Sequence, residues 1–331
     1  MIVYILITYG GILIFLLRGV INYLPSKDIG IIHIIICCLL MLSSLCSFLS
    51  LLKADPGRIH KKNIKTLQKK YPYDNLLYTN NECKTCKMIK IARSKHCALC
   101  NICIEKQDHH CVWINGCVGG KNYKYFLWFL IAHSIMCLDI AFITTYIYKE
   151  IIRRNQLFKT QFINYRTKEV YEATWGIVIQ WLLIKYPDLL FVLVLCLAMG
   201  VALTSFFIFH LTLVAKNQTA NESNKQSDIL HLCEKALERN TQLLAELTAA
   251  KEKGPIAEKE PQDEIENVEV KEKRNKEKKK EEKKVKKEEV DLKVVEDEIK
   301  AIKKKIEALN GTYFYNKGFK NNLKEVLYPN Q

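Results

Sequence analysis

Residues 83–117 read CKTCKMIKIARSKHCALCNICIEKQDHHCVWINGC, and ten side chains in that stretch can bind a metal or act as a nucleophile: Cys83, Cys86, His96, Cys97, Cys100, Cys103, His109, His110, Cys111 and Cys117. Two tetrahedral zinc sites consume eight ligands, each a thiolate or a neutral imidazole. Two of the ten are then left over. If the remainder is one Cys and one His side by side, it is a thiolate nucleophile next to its base. Asp108-His109-His110-Cys111 can supply that pair.

The flanking sequence sets the compartment. Four apolar runs stand out, Met1 to Leu17, Ile29 to Leu52, Tyr125 to Tyr148 and Leu189 to Ala215, and Asp139 is the only formal charge in the last three. About 20 apolar residues cross a bilayer, so the last three predict transmembrane helices. Helix-compatible residues continue past Arg18, which can snorkel to the interface, so the first run extends to a span over 1–24. A cleaved signal peptide fits less well, because no positive segment precedes the run and residues 19–25 offer no small-x-small cleavage site.

Loop charges orient the chain. Residues 53–125 hold 15 Lys or Arg against five acidic residues, whereas 149–188 hold seven Lys or Arg. The positive-inside rule puts the first loop, and with four spans the tail, in the cytosol. Cytosolic thiols stay reduced, which favours metal ligation and catalysis over disulfides. A basic loop against a membrane suits anionic headgroups or a phosphate-bearing substrate. Nucleic acid is excluded as a partner, since no aromatic-interleaved basic patch or reading module is present.

The predicted fold is therefore an all-α integral membrane protein with four transmembrane helices and a cytosolic zinc-binding cysteine-rich domain between the second and third. In order, the expected parts are spans 1–24 and 29–52, a linker 53–82, the cysteine-rich domain 83–124, span 125–148, a luminal loop 149–188, span 189–215 and a cytosolic tail 216–331. Ala173 to Ile184 is apolar but too short to span, and reads as an interfacial piece. In the tail, Asp228 to Ala250 predicts a helix. Further on, Leu292, Val295, Ile299, Ile302, Ile306 and Leu309 form a short seam spaced by three and four. Residues 251–310 carry 19 basic and 18 acidic side chains, a balanced and solvated composition. Cys37, Cys38, Cys46, Cys137 and Cys196 lie in apolar runs and read as packing residues. His33 and His210 read as satisfied buried side chains.

Within the cluster, Cys83-x2-Cys86 and Cys97-x2-Cys100 each form a metal-gripping knuckle. We assign Cys83, Cys86, His96 and Cys103 to one zinc, and Cys97, Cys100, His110 and Cys117 to the other. With all four positions filled, each zinc is structural. Cys111 is then the nucleophile, His109 its base and Asp108 the group that orients the imidazole.

Residues 83–126 resemble the cysteine-rich domain of the DHHC family of protein S-acyltransferases. The match runs through the two Cys-x2-Cys knuckles, Ala92-Arg93-Ser94-Lys95-His96-Cys97, Asp108-His109-His110-Cys111, Trp113, Asn115, Cys117-Val118-Gly119, Asn122 and Phe126. Asp55-Pro56-Gly57, Thr219-x-x-Glu222 and Tyr315-Asn316-x-Gly318 with Asn322 resemble further family motifs. The Tyr71-Pro72-Tyr73-Asp74 segment looks most like the endoplasmic-reticulum branch that acylates SNAREs and other single-span proteins.

The resemblance implies an acyl group, typically palmitoyl, carried from acyl-CoA through Cys111 to juxtamembrane cysteines of membrane proteins at the cytosolic face of an endoplasmic-reticulum or Golgi membrane. It implies an acyl cavity among the helices with Trp113 at its entrance, and Lys90, Arg93 and Lys95 as contacts for CoA phosphates. Ordinary positive-inside charge is the competing reading of those three. Ile91 and Val112 replace the family's usual prolines, and Gly116 its usual Asn. Ala220 replaces the second Thr of a Thr-Thr-x-Glu motif, which implies a looser hold on Asp108. A membrane zinc scaffold without catalysis is the alternative function.

Overall fold

The computed structural model describes residues 6, 9–13, 15–20, 27–163, 166–252, 292–311 and 313–329. Two compact units emerge, one of Met1–Glu222 with Tyr315–Gln331 and one of Ser223–Phe314.

In the first unit, helix α1 (Lys27–Lys53), α3 (Tyr123–Arg154) and α5 (Pro187–Lys216) are the long apolar helices. Among the described residues, three stretches are long and apolar enough to cross a membrane: Ile32–Lys53, Tyr123–Lys159 and Pro187–Lys216. Of the expected span 1–24, residues 6, 9–13 and 15–20 are described and helical, with a π-helical turn at Phe15–Val20. The rest of that span lies outside the described residues. Short α2 (Ile64–Lys70) precedes the cysteine-rich region, and α4 (Trp175–Lys185) precedes α5, whose first residue is Pro187. Proline suits that position, because the first helical N–H has no partner to lose.

Helix α3 packs along both α1 and α5. The faces turned away from the bundle are apolar: Ile32, Ile35, Leu39 and Leu42 on α1 and Phe191, Val194, Leu197 and Val201 on α5 are all more than half exposed. An apolar surface this extensive is stable only when covered, and lipid tails would cover it in a bilayer.

Between α1 and α3 the chain forms three antiparallel hairpins. They are β1 (Glu82–Cys83) with β2 (Met88–Ile89), β3 (Lys95–Cys97) with β4 (Ile102–Ile104), and β5 (His109–Cys111) with β6 (Gly116–Val118). Their turns use left-handed residues, Lys87, Asn101 and Asn115 at φ 51°, 52° and 47°; Asn tolerates that region well. Asp55-Pro56-Gly57 lies against β4, where Glu105 N–H donates to the Gly57 carbonyl at 2.8 Å and Ile59 N–H to the Cys103 carbonyl at 2.9 Å. The hairpins are thereby tied to the end of α1.

Helix α6 (Ala220–Glu252) begins eight residues before the periodic stretch predicted from Asp228. It runs into the second unit, which also contains helix α7 over residues 292–310. There Cys233, Val295 and Leu309 are buried, and Asn240 bonds Glu298 at 3.0 Å. The first unit resumes at Tyr315 and ends in α8 (Phe319–Leu327).

Candidate active site

Strand alternation sorts the cluster. In β5, His109 and Cys111 share one face and His110 takes the other, since successive strand residues point to opposite sides. His110 faces Cys117 across the β5–β6 register, and His96 faces Cys103 across β3–β4, while Cys97, next to His96, points the opposite way. Two sets of four result: Cys83, Cys86, His96 and Cys103, and Cys97, Cys100, His110 and Cys117, the donor atoms of each within 4.8 Å of one another.

These spacings can be tested against a metal. Zinc–sulfur bonds of ~2.3 Å place tetrahedral ligands ~3.8 Å apart. In the first set Cys103 Sγ lies 3.8 Å from Cys86 Sγ, and His96 Nδ1 lies 3.3 Å from Cys86 Sγ. In the second, Cys100 Sγ is 3.6 Å from Cys117 Sγ, and His110 Nδ1 is 3.5, 3.4 and 3.8 Å from the three sulfurs. The knuckle amides donate inward, Cys86 N–H to Cys83 Sγ at 3.5 Å and Cys100 N–H to Cys97 Sγ at 3.4 Å. Three sulfurs and one imidazole at these distances suit zinc.

On the opposite face of β5, buried Asp108 accepts His109 Nδ1–H at 2.8 Å, leaving Nε2 to serve Cys111. The other carboxylate oxygen accepts Ala220 N–H at 2.6 Å. This amide belongs to the first turn of α6, where N–H groups lack helical partners and the helix dipole favours negative charge. The turn is closed by a capping box: Glu222 N–H donates to Thr219 Oγ1 at 3.1 Å and Thr219 N–H to Glu222 Oε2 at 2.9 Å. Ala220, where the resembled motif has Thr, thus still supplies one backbone bond to Asp108.

Burial of Cys111 works against its thiolate, but bonds from His109 and the amides of Trp113 and Ile114 outweigh it and bring the thiol below its ordinary value. Burial likewise opposes the His109 imidazolium, yet Asp108 and Cys111 raise it to about 9. Both shifts favour the thiolate and imidazolium form of the pair. Phe126 and His210 brace it, with Phe126 edge-on to His109 at 5.1 Å and to His210 at 5.0 Å, and Tyr123 Oη 2.7 Å from His210 Nδ1.

Cys111, His109 and half-exposed Trp113 line a cavity of about 480 Å³ that continues between α3 and α5 past Phe129, Met136, Val192 and Met199. Its walls are overwhelmingly apolar. Asp139 lies outside it, with its carboxylate accepting from Cys37 Sγ at 3.4 Å, whereas Cys137 and Cys196 line it.

Of the residues expected at CoA phosphates, Lys95 is exposed and donates to Asn221 at 2.7 Å, and Lys90 is half-buried, its carbonyl accepting from Tyr73 Oη at 2.7 Å. Arg93 is a correction. Its side chain is 1% exposed and grips Glu222 with two bonds of 2.7 Å and the Asn217 carbonyl at 2.5 Å, so it has no surface to offer a phosphate. The ion pairs Arg93–Glu222 and Lys106–Glu325 escaped the sequence reading. The Thr219-x-x-Glu222 spacing was the visible signal for the first, as a capping box.

Residues 77–227 match the family model described as DHHC palmitoyltransferase. The chain is 37% identical over 205 residues to palmitoyltransferase swf1 of Schizosaccharomyces pombe, covering 58% of this chain and 51% of that one. Palmitoyltransferase ZDHHC4 of Mus musculus is 30% identical over 204 residues, covering 61% and 59%. Palmitoyltransferase SWF1 of Saccharomyces cerevisiae is 45% identical over 92 residues, 28% of this chain and 26% of that one. The chain thus spans between half and three-fifths of the length of the first two relatives.

Proposed function

We propose that this chain, whose residues 77–227 match the DHHC palmitoyltransferase family model, moves a long-chain acyl group from acyl-CoA to protein cysteines at a membrane surface, with Cys111 as the carrier. The observation that carries the proposal is the Asp108–His109–Cys111 assembly opening into an apolar cavity between α3 and α5. Cys111 thiolate attacks the thioester carbonyl, the carbon–sulfur bond to CoA breaks, and His109 gives its proton to the departing thiolate. Neutral His109 then takes the proton of a substrate thiol, which attacks acyl-Cys111 and restores the thiolate and imidazolium. Both steps are thioester exchanges of nearly equal energy, so positioning and a reactive thiolate are what the site has to supply.

The cavity would take the acyl chain, each methylene gaining ~0.8 kcal/mol on leaving water, with Trp113 at the mouth. The eight Cys and His donors would hold two structural zinc ions that shape the hairpins. The basic loop supports a cytosolic active site, and four spans, the first over 1–24, would place both loop and tail there. Lys90 and Lys95 remain contacts proposed for CoA phosphates. Juxtamembrane cysteines of membrane proteins in the endoplasmic reticulum or Golgi are the proposed acceptors. An assembled triad beside an open cavity counts against a zinc scaffold without catalysis.

Labelling with a fatty acyl-CoA analogue tests this directly. Wild-type protein should acquire hydroxylamine-sensitive label, and Cys111→Ser should not. Undiminished label on Cys111→Ser would overturn the assignment.

A further inference from the structure

Resting on the reading of Cys111 as acyl carrier, we infer that Glu325, near the end of the chain, is a positioning residue for Asp108. Beneath the hairpins lie two buried cations, Arg93 and Lys106, whose side chains are 1% and 10% exposed. Two carboxylates balance them. Glu222 takes Arg93; Glu325, on α8, takes Lys106 at 2.9 Å and stands 3.9 Å from Arg93.

Asn217 touches three of these four groups. Its Oδ1 accepts from Lys106 at 3.0 Å and Arg93 at 3.3 Å, and its Nδ2 donates to Glu325 Oε2 at 3.2 Å. The residue is left-handed at φ 51°, and the chain leaves it directly for Thr219 and Ala220, the residue whose N–H holds Asp108. Lys106 lies two residues before Asp108 on the other side. Glu325 therefore grips both approaches to the Asp108–Ala220 bond. Removing its charge leaves two cations sharing one carboxylate in a largely buried site, and displacement of Lys106 or Asn217 is the available relief.

Leu323 and Val326 seat α8 in the apolar cluster that contains Cys111 and Phe126, so the helix is held by packing while Glu325 sets the charge balance. In keeping with this, burial opposes the Glu325 carboxylate, but Lys106, Lys317 and Arg93 hold it down at about 2, and burial pushes Lys106 down to about 8.

Single-turnover acylation of Cys111 by palmitoyl-CoA, on the full chain in detergent, is the test. Glu325→Gln should lower the saturating rate ~10- to 100-fold, the scale of a small misplacement of reacting groups, with an unchanged half-saturating concentration. Adding Lys106→Met restores the balance of one cation to one carboxylate and should recover most of the rate, which a purely packing role of Glu325 would not produce. Lys106→Met alone removes one of the two grips but leaves Glu325 paired with Lys317, 3.0 Å away, and held by Asn217, so it should slow acylation less than Glu325→Gln does. A wild-type rate in Glu325→Gln, or a double variant no faster than Glu325→Gln, overturns the inference. If Glu325→Gln does not accumulate as folded protein, a Lys106→Met chain as slow as the Cys111→Ser background does the same. Wild-type protein that takes no label sinks the carrier reading itself, a separate outcome.

Discussion

Asp108→Asn separates charge from shape at the centre of the site. The side chain keeps its size, so the effect follows from which of its two ends faces which donor. Ala220 N–H is fixed at the first turn of α6 and donates to Asp108 at 2.6 Å, and His109 Nδ1–H donates to the other oxygen at 2.8 Å. An asparagine has one acceptor and one donor there. With its oxygen toward the backbone amide, its NH2 meets His109 Nδ1, which must then accept and carry its proton on Nε2, the nitrogen that serves Cys111. The reversed orientation sets two N–H groups against each other at Ala220. Either way a charge-assisted bond worth ~1.5–3 kcal/mol is lost, along with the base function at Nε2, itself worth ~10²- to 10⁴-fold. The expected outcome is a fall of that size in single-turnover acylation of Cys111, with slower thiol alkylation at neutral pH. Zinc content should be unaffected. A variant acylated within ~5-fold of wild type would refute the assigned role, since general-base loss is larger than that.

Other outcomes follow from the same geometry. Cys97→Ser should drop bound zinc from two ions per chain to one and destabilise the hairpins, whereas Cys111→Ser should retain both by elemental analysis; equal metal loss would undo the partition into two sets of four. Gly119→Ala should cost ~1–3 kcal/mol or prevent folding, because its methyl would lie 2.5 Å from the Pro56 carbonyl oxygen and 2.6 Å from Ile104 Cγ2, while Gly116→Ala, with nothing nearer than 3.7 Å, should melt like wild type. Glu325, lowered from 4.5 to about 2, contributes stability that is fully present above 4.5 and lost as pH falls toward 2. Acid unfolding of Glu325→Gln should therefore be shallower than wild type across that window, and parallel curves would show that the carboxylate is not held by its cations.

The long helices were legible because a run of more than about 18 apolar residues has few other readings, and α1, α3 and α5 contain the runs 29–52, 125–148 and 189–215. Their ends were less so: polar residues add turns that an apolar run does not register, as Lys149 to Arg154 do on α3 and residues 220–227 on α6. In α6 the start was written in Thr219 and Glu222, a local signal that apolar periodicity cannot register. The two Cys-x2-Cys knuckles were legible from paired spacing, but which His and Cys complete each set depends on the two-residue alternation of β3 to β6, strands that the sequence reading did not anticipate. Arg93 could not be placed the same way. Its partner is 129 residues away, and that of Lys106 is 219 away; a basic residue in a basic loop looks like surface until its carboxylate is found.

That long separation also has a physical reading. Asn217 Nδ2 donates to the Tyr315 carbonyl at 2.8 Å, so the first unit breaks off and resumes at nearly the same point. A segment leaving and re-entering through adjacent ends adds little strain, because closure cost grows only slowly with length. Ser223–Phe314 can thus be charged and long while the first unit keeps its requirements at the two junctions. On one side these are Thr219 and Glu222, which fix the amide that holds Asp108. On the other they are Tyr315, stacked on Arg93 at 4.6 Å, Asn322, whose amide donates to the Ala215 carbonyl at 2.9 Å, and Glu325. Residues 315–325 are in this sense part of the foundation of the candidate site, joined to it by hydrogen bonds and charge across a gap that the intervening sequence does not have to bridge.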